Sequence, residues 1–246
     1  AWVVAQIISG SIIEKSSFLG IYLFSAGFMV LLIFIFILFL RDFKDPEYKK
    51  ISVLKTIRTF IDNRHISKVY CINLVVKFFY AWMVIYMPIY LHEYMGFAWD
   101  KIGIIFSIML LPFILLDFPL GKLSDKIGEK KMLLAGFVII ILSVLVIPFI
   151  YASILWLWAL VLFMTRVGAA TIEVMSESYF FKVINKKECP DEISFFRNTL
   201  PVSYVIAPLL AVLILSSIPS FEYLFFVLGA VLLMGFFISL RLEDVK

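Results

Sequence analysis

Charge is scarce in this chain. Aspartate, glutamate, lysine and arginine make up 16% of its 246 residues, well below the share that solvates a water-soluble domain. Histidine and cysteine are rarer still, at two of each. Cys71 falls in or near an apolar run and Cys189 on a polar segment, so no disulfide framework and no metal site is expected. His65 and His92 fall on opposite sides of the predicted membrane, which excludes a paired-histidine centre and leaves no catalytic residue to nominate. His92 beside Glu93 reads as a polar pair at an outer end. Period-two alternation is missing too, which excludes a membrane β-barrel. The N-terminus lacks an initiating methionine, a basic leader and a small-residue cleavage site, so a signal peptide is not expected.

What remains is apolar: 63% of the residues. It is arranged in charge-free runs of about 20 residues, long enough for a helix to cross ~30 Å of hydrocarbon. The fold class is therefore all-α, a polytopic transmembrane helical bundle whose backbone polar groups are satisfied within each helix. Spans are predicted over Phe18 to Leu40, Val69 to Leu91, Ile102 to Leu120, Met132 to Tyr151, Ile154 to about Phe180, Ser194 to Leu215 and Phe221 to Leu240. The run Ala1 to Ile13 is too short to span and reads as the end of a truncated span, with a re-entrant segment as the alternative. Prolines 88, 112, 119, 148, 201 and 208 fall within or near span ends, which membrane helices tolerate. Trp99, Trp156, Trp158 and Tyr223 lie near outer ends, as interfacial anchors would.

The net charge of +4 is a matter of orientation and not of nucleic-acid binding. Lys15 and Lys101 are the only basic residues on predicted outer loops, and most others fall on alternate inner segments. The richest of these, Arg41 to Lys68, is read as a cytoplasmic linker. Within it Ile51, Leu54, Ile57, Phe60 and Ile61 recur at helical spacing, with Lys50, Lys55 and Arg58 elsewhere on the helix. That pattern suits an amphipathic helix on the inner membrane surface, or a solvated linker helix without a partner. The domain organisation expected is 1–40, linker 41–68, bundle 69–242 and a cytoplasmic tail 243–246.

Between two predicted spans lies Gly121 to Lys131, reading GKLSDKIGEKK. It resembles the signature loop of the major facilitator superfamily, G-x-x-x-D-[RK]-x-G-[RK]-[RK], with Glu129 standing where a basic residue is usual. The resemblance implies the second half of a twelve-helix secondary transporter: the end of helix five, helix six, and helices seven to twelve. It further implies that the missing N-terminal half is a partner, that no cofactor is needed, and that the protein sits in a bacterial-type cytoplasmic membrane. In that reading Asp125 is a gate anion docking on a helix N-terminus, with Lys126 and Lys130 as charge partners. Gly121 and Gly128 allow packing and the turn. Asp117 pairs with Lys122 or assists the gate. The plain alternative is a solvated loop that only sets topology. The family's antiporter signature on helix five should end G-P-x-x-G-G, but Ala5 to Gly10 reads AQIISG, so drug–proton antiport is not implied. A faint repeat of Ala5–Asp42 in Ala207–Asp244 suits a duplicated transporter.

Two cations are misplaced for loop residues. Lys77 lies ~15 Å along its helix from Ser67, and Arg166 ~20 Å from Ser153, so both fall near mid-bilayer. Such a residue carries an insertion cost of about 2.5–3.5 kcal/mol, which makes it a candidate for function. Glu173 and Glu177 follow Arg166 by seven and eleven residues, on one helix face. Asn73 shares the Lys77 face. In the resembled fold Lys77 and Arg166 face the central cavity, where they suit an anionic or polar solute and proton or ion coupling. The alternatives are an Arg166–Glu173 structural pair with Lys77 snorkelling, a scaffold or receptor that lost transport, or a lipid-directed membrane enzyme.

Overall fold

The computed structural model describes residues 2–39, 53–184, 189–218 and 220–243. Among these, every regular element is a helix. In order they are α1 (Trp2–Lys15), α2 (Phe18–Phe39), α3 (Val53–Asp62), α4 (Arg64–Ile89), α5 (Trp99–Met109), α6 (Leu111–Ile127), α7 (Glu129–Val146), α8 (Leu155–Val183), α9 (Cys189–Arg197), α10 (Thr199–Ser217) and α11 (Tyr223–Leu240). Seven stretches of the described chain are long and apolar enough to cross a membrane: Phe18–Phe39, Arg64–Tyr94, Trp99–Leu116, Glu129–Phe149, Leu155–Val183, Asp191–Ser217 and Tyr223–Leu240. They match the spans expected from hydropathy, with differences at the ends.

Those differences have physical causes. Two spans are each built from two helices, and a proline follows each break. Pro112 cannot donate to the carbonyl of Ile108, and Pro201 cannot donate to that of Arg197. The chain accordingly divides at Leu110 and at Asn198. Pro88 precedes a π-helical turn at Tyr90–Tyr94, and Pro148 lies in a 3₁₀ turn at Ile147–Phe149. The segment expected as a loop, 121–131, is helical up to Ile127. Only Gly128 breaks it, with φ of 93°, a left-handed value that a side chain would strain. The helix runs on because exposed Lys122, Asp125 and Lys126 lose nothing outside hydrocarbon.

Helix α8 is the hub, packed against α4, α5, α6 and α7, while α4 also meets α10 and α11. The α7–α8 contact is close: a Cβ at Gly168 would lie 2.7 Å from the carbonyl oxygen of Gly136 and 2.8 Å from the backbone nitrogen of Ile140. Such approach suits membrane bundles, where packing and not water expulsion draws helices together. Ala207 and Ala211, fully buried, serve α10 in the same way. Tyr90, Trp158 and Phe225 fill one end of the core, with Trp158 Nε1 donating to the carbonyl of Ala152 at 3.0 Å. Trp158 is therefore a core residue, whereas Trp156 is 71% exposed and free to anchor at an interface.

At the opposite, basic end, Phe60 of α3 is buried against Tyr70, Phe180 and Phe195. Thr56 of the same helix is buried too, so α3 packs on the bundle along this face, with Leu54 and Ile61 left exposed. Ile51 and Lys50 lie outside the described residues, as does the side chain of Lys55. Lys68 Nζ donates to the carbonyl of Arg241 at 2.6 Å, tying the start of α4 to the end of α11. Helix α2 differs from all the others: none of its 22 residues is buried.

Candidate functional site

A cavity of about 880 Å³ is lined by α1, α4, α5, α6, α8 and α10. Its α1 wall is held by close approach. A Cβ at Gly10 would meet the carbonyl oxygen of Trp99 at 2.4 Å, and one at Gly103 would meet that of Gln6 at 2.5 Å. Ser107 Oγ donates to the carbonyl of Val3 at 2.7 Å, and Glu14 accepts from the backbone N–H of Trp99 at 3.0 Å. That last bond caps α5, whose own N-cap, Ala98, has no side-chain acceptor.

Lys77 sits at the middle of α4, and Arg166 and Glu173 on one face of α8; all three line the cavity. Lys77 Nζ forms an ion pair with Glu173 Oε1, and Tyr80 donates its hydroxyl to Glu173 Oε2 at 2.7 Å. Both carboxylate oxygens are thus engaged. Arg166 is 3% exposed and makes no ion pair with Glu173. Its guanidinium lies 5.0 Å from the ring centre of Tyr80, 5.4 Å from Phe79 and 6.0 Å from Phe113. Rings at such distances offset part of a cation's desolvation, by about 0.5–2 kcal/mol per contact. The sequence alone suggests Glu173 with Arg166; the tertiary arrangement instead gives Glu173 to Lys77. Tyr80, one turn beyond Lys77, is a site residue that sequence reading missed, although its spacing carried the signal.

Asn73 stands beside the cavity and not on its wall. It is 1% exposed, donates to Ser176 Oγ at 3.2 Å and accepts from Thr199 Oγ1 at 2.7 Å. It thereby joins α4, α8 and α10 at one point. Glu177, one turn past Glu173, is exposed and is not among the lining residues. Gln6, Ser9 and Tyr204 complete the polar part of the wall, and none was singled out from sequence.

The basic segment is a second cluster. Asp125 and Lys126 are exposed and make no ion pair among the described residues; Lys130 is half-buried. Nothing lies within 4 Å of where a Cβ on Gly121 would be, so within the described chain that glycine relieves no contact. The side chain of Asp117 lies outside the described residues, and Lys122 Nζ rests 4.3 Å from the ring centre of Phe118. Glu129, the departure from the basic pattern, is buried and pairs with Lys182 at 2.5 Å, with Ser178 donating to it at 3.3 Å. No group of three or more His, Cys, Asp or Glu that could hold a metal occurs among the described residues.

Residues 70–246 match a family model described as the Major Facilitator Superfamily. No curated protein matches the chain.

Proposed function

The chain belongs to the major facilitator superfamily of multi-pass integral membrane proteins, and we propose that it carries a small anionic or polar organic solute across the bilayer by alternating access. The observation that carries this reading is the cavity of about 880 Å³ containing Lys77, Glu173 and Arg166. Ionisable groups inside a membrane bundle are costly and are retained where a solute or proton meets them.

The roles divide by chemistry. Arg166, a fork of donors that forms no ion pair among the described residues, recognises the solute's negative charge. Glu173 takes the coupling proton, since protonating it releases Lys77 and Tyr80 from their shared partner. Asn73 fixes the three helices on which these groups ride. At the basic end, Asp125 closes the inner gate against a helix N-terminus, a contact type contributing ~0.3–1 kcal/mol when exposed. Lys126 and Lys130 support it, Gly128 supplies the turn, and Gly121 and Asp117 meet the other half of the transporter. Rocking of the two halves about the cavity exposes it to each side in turn.

The test is uptake of organic anions into proteoliposomes with and without an imposed proton gradient. Wild type should accumulate solute only with the gradient, while E173Q should exchange solute without accumulating it. Accumulation by E173Q equal to wild type would refute the coupling role, and absence of flux for every solute class would refute transport.

A further inference from the structure

We infer that the solute is a singly charged organic anion with an apolar body, anchored by Arg166 alone; this rests on the transporter reading above. The charges around the cavity are unequal in availability. Lys77 is neutralised by Glu173, whose second oxygen accepts from Tyr80 at 2.7 Å. That trio has no net charge, and each carboxylate oxygen already has a partner. Arg166 is the opposite case: 3% exposed, it makes no hydrogen bond and no ion pair among the described residues, Glu173 acts on it only at longer range, and its Nε is buried without a partner. The rings of Tyr80, Phe79 and Phe113 surround it and can supply no acceptor in the guanidinium plane. A guanidinium so stripped of water is a strong site for one carboxylate or sulfonate, which it meets through two parallel N–H bonds.

The rest of the wall sets the body of the solute. Trp2, Val84, Phe106, Phe113, Ile114 and Leu200 present aromatic and aliphatic surface. Beyond Lys77, Glu173, Arg166 and Tyr80, the polar side chains on the wall are Gln6, Ser9 and Tyr204, too few to match the hydroxyls of a sugar. A dianion would leave its second charge facing the already neutral trio, since Lys77 and Arg166 are the only cations on the described lining. A cation would meet Arg166 uncompensated. The volume of about 880 Å³ accommodates an aromatic acid of drug-like size.

The experiment is calorimetric titration of the intact protein in lipid nanodiscs with naphthoate, its neutral isostere naphthamide, and naphthalene dicarboxylate. Naphthoate should bind at least ~10-fold tighter than either of the others, because only it matches one charge with one charge. R166Q should lose at least ~10-fold in naphthoate affinity and R166K should recover part of it, since lysine keeps the charge without the fork. R58Q, a charge change on exposed α3, should bind as wild type does. Melting temperatures of the variants separate loss of the site from loss of the fold. Equal binding of naphthamide and naphthoate, tighter binding of the dicarboxylate, or unchanged binding by a folded R166Q would overturn the inference. Arg166-dependent naphthoate binding in a protein that moves no solute would refute transport and leave the anion site standing. Gradient-driven uptake of neutral solutes, unaffected by R166Q, would do the reverse.

Discussion

Lys77 and Glu173 meet as an ion pair across the α4–α8 contact, with side chains 15% and 23% exposed. Each is too deep to be solvated alone, and each removes the other from the set of charges a solute can use. K77M or E173M alone should therefore destabilise the bundle by up to about 3 kcal/mol, the value seen when one partner of a buried pair is lost. The double variant should recover part of this, giving a coupling of about 0.5–3 kcal/mol in a double-mutant cycle. Thermal melts in detergent provide the measurement; strict additivity would show that the pair has no direct interaction.

Asp125 should behave differently. It is exposed and without an ion pair among the described residues, so D125N should leave the melting temperature unchanged. Transport should nevertheless fall several-fold if the carboxylate closes a gate worth ~1 kcal/mol. An unaltered uptake rate would reduce the segment to a topology signal.

Glu129 and Lys182 form a pair of the structural kind. Glu129 lies in the first turn of α7 and Lys182 in the last turn of α8, so each also complements its helix dipole. E129Q should cost about 1.5–3 kcal/mol through the charged hydrogen bonds weakened. The exchange E129K/K182E should restore the pair but fall short of wild type by ~0.3–1 kcal/mol per residue, because both dipole contacts are then reversed. Full recovery by the exchange would remove the dipole contribution from the account.

Two glycine contacts should separate folding from function. G168L forces a side chain into the carbonyl of Gly136 at the hub of the bundle, and overpacking of about 1–3 kcal/mol or more should abolish monodisperse protein. G10L strikes the carbonyl of Trp99 at the α1–α5 contact, outside the α4–α8–α10 core. It should leave the bundle folded by circular dichroism and thermal melt while impairing uptake. Equal loss of folding in both variants would tie α1 into the core.

Much of this was legible in the sequence, because bilayer thickness and helical rise fix span lengths independently of tertiary detail. Lys77 and Arg166 stood out for the same reason: a charge in an apolar run needs no structure to be noticed. Helix breaks at Leu110 and Asn198 were harder, since a proline in a membrane helix is as often absorbed as obeyed. Which acid meets which base was out of reach. Glu173 lies at a helical repeat from Arg166 on α8, yet its partner came from α4, a choice made by helix packing. Glu129 marked a departure from the motif, but only the fold brings Lys182 to it.

The most direct measurement is organic-anion uptake into proteoliposomes by wild type and R166Q, each shown to insert and to melt at the same temperature. The account predicts uptake by the wild type and a loss of at least ~10-fold in R166Q, since a charge-matched contact is removed. R166Q transporting at the wild-type rate would contradict the claim that this cation meets the solute.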